Sequence, residues 1–455
     1  MTAMPEPSEH IESPLRSASR AEGDRISSAA AAGKGFNTGR SLTWGLFAVV
    51  LIVVPLLFDS PFSRSMLSQI GIAIVACLSF NILLGQGGML SFGHAVYTGL
   101  GSFCAVHAIN MIGAGTLPIP VSLIPLVGGV SGMFFAVLLG YVTTKKAGTP
   151  FAMITLGIGE LVFAMSLMIP EFFGGEVGVS ANRVVGKPFM GITYGSALQV
   201  YYLLAIYTFI CTALMFAFTG TPLGRMLNAV RDNPERVEFV GYEMQRVRYL
   251  SFIIAGFFAG VAGGMYAMNF EIATAEVVGG ARSGAYLLFT FLGGATVFFG
   301  PIIGAVLMVL AFVLLSELTK AWLLYLGLIF TLMVMYAPGG IASLILINVR
   351  VAKFGKFGRL LLPYLGAALT ALLAAAGGAA IIEMIYHLQL NMGGPDLRFF
   401  GIHLDVHTWS HWIGALAALL IGGALFAWAR RRFVATWGAI SGEIAQEEAR
   451  RGARA

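Results

Sequence analysis

The sequence predicts an all-α, polytopic transmembrane helical bundle with broken and half helices. Three observations predict it. The chain is 57% hydrophobic and only 11% charged, with a mean hydropathy of +0.83, far outside the soluble range. Its apolar residues fall in long unbroken runs, as a bilayer requires. Glycine is abundant, 58 of 455 residues, and much of it lies inside those runs. In lipid, small residues let helices approach closely, and unwound glycines line cavities.

The first 42 residues are rich in Ser and Ala with mixed charges. They lack the basic stretch and apolar core of a signal peptide and read as a disordered cytoplasmic tail. Apolar segments follow near 43–58, 66–84, 92–112, 119–143, 151–170, 201–219, 249–270, 285–297, 299–316, 321–337, 360–380 and 411–429. Several are shorter than the ~20 residues of a full span, so half-helices or broken helices are expected among them. If all cross with the N-terminus inside, only Arg64, Arg183, Lys187, Arg282, Lys320 and Arg398 of the 28 Lys and Arg stay outside. That asymmetry orients the chain and accounts for a net charge of +6 without nucleic acid.

The join between the second and third segments, LSFNILLGQGGMLSFGHAVYTGLGS (78–102), carries Gly85, Gly87, Gly88 and Gly93 beside Asn81, Gln86, Ser91 and His94. This predicts a broken helix with polar groups facing inward along a translocation pathway. Glu160, in TLGIGELVFA, is the clearest deep ionisable residue. It must pair or face water, so it either shapes the pathway or hydrogen-bonds a neighbouring helix. The segment 171–200 is external, Gly-rich and low in charge, and reads as an ordered, lid-like piece.

Between the segments at 201–219 and 249–270 lies GTPLGRMLNAVRDNPERVEFVGYEMQRVR (220–248), with five arginines. Leu223 to Arg231 reads as one short helix. Asp232 or Asn233 can cap a second, with Pro234 at its first position and Gly241 as a left-handed stop. Two capped helices in a loop suggest that something docks there.

After about residue 345 comes a basic linker, VRVAKFGKFGR, then two further spans and a charged tail. His403, His407 and His411, near Asp405, would share one face if the run were helical, and could then hold a divalent metal. The aromatic GIHLDVHTWSHW context fits an interface anchor better. Cys77, Cys104 and Cys211 lie in apolar runs without CxxC spacing, so neither a disulfide framework nor a thiolate metal site follows. AAGKGF at 31–36 lacks the strand, the spacing and the Ser/Thr of a P-loop, and no HExxH, GxSxG or carboxylate pair on a common face is present. The chain does not read as an enzyme and is expected to bind no cofactor itself.

Three runs, LSFNILLGQGGMLSFGHAVYTGLGS (78–102), TPFAMITLGIGELVFA (149–164) and TPLGRMLNAVRDNPERVEFVGY (221–242), occur in an order that resembles LivM-type permeases. These are membrane subunits of the bacterial ABC importers for branched-chain amino acids. The resemblance spans roughly 43–346 and implies a permease domain there, with the loop at 221–248. It implies two cytosolic ATPase subunits carrying ATP and Mg, a second permease subunit (a LivH-like heteromer), an external solute-binding protein, and a multi-pass setting in inner-membrane lipid with both termini cytoplasmic. The loop at 221–242 is similar to the family's coupling helix. Arg225, Arg231, Asp232, Asn233 and Glu235 would supply its polar contacts, Val237, Phe239 and Val240 an apolar face, and Gly241 the stop. The spans within 347–429 and the tail at 430–455 have no counterpart in that pattern. Relatives of this kind also carry urea, short amides or aromatic acids, which leaves the solute open. The alternative is an ion-coupled secondary transporter or channel, which would need charged relays and a second-half counterpart of the 81–95 break. A scaffold without transport activity would leave the polar break unexplained.

Overall fold

The computed structural model describes residues 38–186, 191, 193–389, 396–399 and 402–452. The described residues 38–58 belong to a unit of their own: a single apolar helix, α1 (Thr38–Leu57), with Pro55 in its last turn. The expected tail lies outside the described residues up to position 37.

The second unit is built of helices. α2 (Pro61–Asn81) starts at Ser60, whose hydroxyl accepts from Ser63 N, and runs into a wide turn, Ile82–Gln86, with i→i+5 geometry. α3 (Ala95–Gly113), α4 (Ile124–Thr143), α5 (Thr149–Met168) and α6 (Ala197–Gly220) follow. Two short helices, α7 (Pro222–Asp232) and α8 (Pro234–Phe239), precede the long α9 (Met244–Phe270). The half-helix α10 (Gly280–Gly293) turns back into α11 (Gly300–Leu310). α12 (Trp322–Tyr336) and α13 (Gly340–Lys353) meet at a 48° bend. α14 (Gly358–Gln389) and α15 (Trp409–Gly452) close the chain. Among the described residues nine helices are long and apolar enough to cross a membrane, or ten with the bent pair.

The segments read from hydropathy all correspond to helices, and α10 is the half-helix that its short apolar run foretold. α13 was not foreseen as a helix. Gly340, at φ +70°, bends the chain between two runs that hydropathy alone reads as one span ending in a linker.

The core forms around α9, which packs against α3 and α4, while α2 packs against α6, α9 and α11. Glycine makes these crossings close. A β-carbon at Gly263 would lie 1.9 Å from the Thr98 carbonyl oxygen, and one at Gly128 would lie 2.5 Å from that of Gly260. Neither site has room for even alanine, so backbone-to-backbone contact replaces side-chain packing.

In the connection between α5 and α6, β1 (Val179–Ser180) pairs antiparallel with β2 (Ile272–Ala273), which follows α9, Val179 opposite Ala273. Arg183 locks this piece. Its backbone N–H donates to Glu271 Oε1 at 2.8 Å, and its guanidinium donates to the carbonyl of Tyr194 in the same loop and to those of Met268 and Asn269 at the C-terminal end of α9. The described part of the 171–200 loop is therefore ordered, as its composition suggested.

α14 and α15 pack through Gly377 and Gly422, where a β-carbon would meet opposing backbone nitrogens at 2.4 and 2.5 Å. Between them β3 (Asp396–Phe399) and β4 (Ile402–Asp405) form a hairpin, Asp396 opposite Asp405. This overturns the helical reading of the histidines. His403 lies in a strand, His407 in the turn that follows, and His411 in the first turn of α15, so they share no helical face. The side chain of His403 lies outside the described residues. Among the described residues no group of three metal-ligating side chains converges.

Candidate functional site: the joint between the broken helix and the loop helices

α7 begins where Thr221 accepts from Gly224 N at 3.2 Å and Pro222 fills the first position. It ends at Asn233, whose Oδ1 in turn accepts from Arg236 N at 3.0 Å and opens α8 behind Pro234. Gly241, at φ +90°, terminates α8. The side-chain acceptors satisfy helix-end N–H groups that have no partner inside the helix.

One face of α7, formed by Gly224, Leu227 and Val230, is buried. It lies against the break after α2. Asn228 Nδ2 donates to Gln86 Oε1 at 2.8 Å, and the Arg231 guanidinium donates to the Gly85 carbonyl. Gly88 stands at φ +62°, and a β-carbon there would lie 2.8 Å from Arg231 Cγ. Only glycine meets both demands, the left-handed backbone and the close approach. α7 is thus bonded to the one place where α2 has lost its regular ladder.

The far side of the break is also tied. Phe92 N donates to Thr155 Oγ1 of α5 at 3.1 Å, and Ala95 N donates to Ser283 Oγ of α10 at 2.9 Å. His94 Nε2 lies 2.8 Å from Ser79 Oγ. Its ring is enclosed by Phe80, Tyr97 and Tyr286, with centroids at 5.2, 6.3 and 6.5 Å. One break therefore joins α2, α5, α7 and α10.

The pathway residues read from sequence divide accordingly. Asn81, Ser91 and His94 are buried at the break, and Gln86 is half-buried there. Asn81 Oδ1, Ser91 Oγ and His94 Nδ1 are buried without a hydrogen-bond partner among the described residues. Glu160 is not with them. It is exposed on α5, with Oε1 3.1 Å from where a β-carbon at Gly280 would stand.

The loop residues divide as well. Arg225, Arg231, Asp232, Asn233 and Glu235 are exposed. Arg231 is turned toward Gly85 and Asp232, with Nε 2.9 Å from Asp232 Oδ1. Val237 is buried, whereas Phe239 and Val240 are 90% and 70% exposed. The apolar surface is therefore Phe239 and Val240 without Val237. Sequence reasoning missed Leu227 and Asn228. Their spacing from Gly224 and Arg231 marks one helical face, which was the available signal.

Residues 64–339 match the family described as branched-chain amino acid transport system / permease component. The chain is 26% identical over 327 residues to the high-affinity branched-chain amino acid transport system permease protein LivM of Salmonella typhimurium, covering 67% of this chain and 76% of that one. It is 25% identical over 333 residues to the LivM protein of Escherichia coli, with the same coverage. It is 26% identical over 268 residues to a probable branched-chain amino acid transport permease protein LivH of Methanocaldococcus jannaschii, covering 54% of this chain and 79% of that one. No solved structure matches. The matched region runs from α2 to the start of α13 and contains the break, both loop helices and the half-helix, so α14 and α15 lie beyond it. The chain belongs to the family of permease components of branched-chain amino acid transport systems.

Proposed function

We propose that this chain is the transmembrane permease subunit of an ATP-driven importer for branched-chain amino acids or related small polar solutes. The observation that carries the reading is the bonding of α7 to the break in α2 through Asn228–Gln86 and Arg231–Gly85. A load applied to the loop is delivered straight to a joint inside the bundle.

In this reading, two cytosolic ATPase subunits, which hold ATP and Mg, seat on the loop. The outward residues are the contact set: Phe239 and Val240 as apolar anchors, with Arg225, Asp232, Asn233 and Glu235 around them. This chain supplies no catalytic residue and binds no cofactor. Val237 is buried and Arg231, exposed along the rest of its length, bonds Gly85, so both hold the short helices to the bundle while Arg231 also remains available to the ATPase, and Gly241 sets where the second ends. Closure of the ATPase pair moves α7 and α8 as a lever. Asn81, Gln86, Ser91 and His94 sit at the joint that this lever moves, and the irregular backbone at 82–94 absorbs the change. A second permease subunit, of the LivH kind or a copy of this chain, completes the pathway. An external binding protein delivers solute over the surface that carries the 171–200 loop. The loop arginines support a cytoplasmic setting for α7 and α8 in a bacterium, with both termini on the same side and α14 and α15 added as a membrane hairpin. The division into a permease domain over 43–346 and an extension from 347 is kept, with α1 starting at Thr38 inside the tail expected at 1–42 and α15 running to Gly452 through the tail expected at 430–455.

The test is a pull-down from detergent-solubilised membranes, comparing wild type with Phe239→Asp/Val240→Asp. Burying each of these side chains is worth roughly 1.5–3 kcal/mol, so the double change lowers ATPase affinity by about two orders of magnitude or more. ATPase subunits that co-purify with wild type and not with the variant support the reading. Uptake that proceeds without ATP, or wild-type protein that brings down no ATPase, sinks it.

A further inference from the structure

Pro338, Gly339 and Gly340 join α12 to α13 at the 48° bend. Pro338 has no N–H to continue the helix, so the last ladder bond of α12 is Ala337 N to Met333 O at 2.8 Å. Gly340 N then returns to Ala337 O at 2.8 Å, with Gly340 at φ +70°. A cavity of about 60 Å³ lies beside the bend, lined by apolar side chains that include Phe291, Phe330, Met333, Ala337 and Pro338. The end of α12 therefore borders free volume, which a close-packed interior rarely leaves. The bend is also stacked on the other irregular joints. A β-carbon at Gly340 would lie 2.4 Å from Gly294 Cα, and one at Gly294, itself at φ +114°, would lie 2.6 Å from the Gly339 carbonyl oxygen. Gly294 opens the turn between α10 and α11, where Gly300 N donates to Val297 O at 2.9 Å. The next residue of that turn meets the break after α2: a β-carbon at Gly85 would lie 2.2 Å from the Ala295 carbonyl oxygen. Gly85 is the residue whose own carbonyl accepts from Arg231 of α7. Every step from Gly85 to Gly340 is thus backbone against backbone. No rotamer change can absorb a displacement there, and such packing transmits strain.

We propose that the Pro338–Gly340 bend is a second hinge, driven from α7 through the break in α2 and the turn between α10 and α11. When α7 moves, Gly85 displaces Ala295, Gly294 displaces the Gly339–Gly340 backbone, and α13 swings about the bend as the end of α12 shifts into the cavity. α13 has 14 residues, so it is roughly 20 Å long, and a rotation of about 10° at the bend carries its far end about 3–4 Å. It does not swing alone. Arg350, near that end, donates to Glu448 Oε1 of α15 at 2.7 Å. The C-terminal extension, which lies beyond the family match, is in this way tied to the motion of the loop helices. The drive rests on the permease reading above, whereas the stacking of the three joints does not depend on it.

The experiment uses the complete transporter in nanodiscs, spin-labelled at pairs of exposed positions. Lys146→Cys, just beyond α4, is the fixed reference. Lys353→Cys reports the end of α13, and Arg236→Cys reports α8. Cys104, the one native cysteine that is not buried, is replaced by alanine. Trapping with ATP and vanadate is expected to shift the 146–236 distance and, by about 3 Å, the 146–353 distance. Asn228→Leu/Arg231→Met, which unfastens α7 from the break, should keep the first shift and abolish the second. Ala337→Val, which fills the cavity and leaves α7 untouched, should do the same. A 146–353 distance that stays fixed while the 146–236 distance moves overturns the second hinge. So does a wild-type shift at Lys353 that persists in either variant. A preparation that contains no ATPase, or in which neither distance responds to trapping, overturns the permease reading instead, and is recognised before the variants are compared.

Discussion

Asn228 and Gln86, 142 positions apart in the chain, share a hydrogen bond of 2.8 Å between their side-chain amides. With the Arg231 guanidinium on the Gly85 carbonyl, this bond fastens a loop helix to the single irregular stretch of a core helix. If the loop is the lever, removing the fastening should disconnect it without removing the lever.

Asn228→Leu and Arg231→Met are therefore expected to keep ATPase binding and lose coupling. Each removes a buried or charge-assisted hydrogen bond worth ~1–3 kcal/mol, enough for a roughly 5- to 100-fold fall in solute carried per ATP hydrolysed. The ratio of uptake to hydrolysis in proteoliposomes measures it. An unchanged ratio in both variants would remove the mechanical role of this contact.

Gly88→Ala tests the joint from its other side. The left-handed backbone at φ +62° costs a non-glycine residue about 1 kcal/mol or more, and the new β-carbon meets Arg231 Cγ at 2.8 Å. A loss of ~1–3 kcal/mol is expected, read as a lowered Tm in detergent. Gly157→Ala, where the added carbon meets open space, serves as the neutral comparison.

Arg183→Ala should release the connection between α5 and α6. The guanidinium holds three carbonyls and lies 3.6 Å from Glu271 Oε2, so roughly 2–4 kcal/mol of local order is at stake. Faster amide exchange over Val179–Arg183 and new protease cleavage in the loop are the expected signs. Arg183→Lys restores little, because a lysine cannot reproduce the planar fork.

The end of α15 is held to the 350–359 stretch by Arg350–Glu448, Lys356–Glu447 and Arg359–Glu443, beside an apolar cluster of Val351, Leu360, Ile440 and Ile444. Hydrogen bonding to Glu447 and then Glu443, partly opposed by desolvation, holds the Lys356 ammonium above the usual lysine range. A raised folded value means that the contribution is full below the ordinary lysine pKa and fades as pH rises through the folded one. Lys356→Met should therefore change the exchange protection of residues 440–448 at neutral pH and not in strongly alkaline buffer. Equal protection in wild type and variant at pH 7 would show that the apolar cluster alone holds the helix end, which is also the expectation at high salt.

The membrane class, the succession of apolar segments and the caps of the loop helices could all be read from the sequence. These properties are local. A run of apolar residues has one low-energy setting, and Asn233-Pro234 with Gly241 specifies a helix start and stop from contiguous residues alone. The broken helix at 82–94 was legible for the same reason, since glycines and polar groups crowd within one stretch.

What the tertiary structure decided is who meets whom. Hydropathy does not say that α7 lies against the break, so the bond from Arg231 to the Gly85 carbonyl was not foreseen, and Asn228 went unnoticed. Val237 turned inward because α8 packs its one buried residue against the bundle. Glu160 stands exposed beside Gly280, because the neighbour of α5 at that depth is the start of a half-helix. The three histidines separated because a β-hairpin turns the chain where a helix would have aligned them. Each outcome depends on contacts between elements far apart in sequence, and periodicity within one element carries no information about its neighbour.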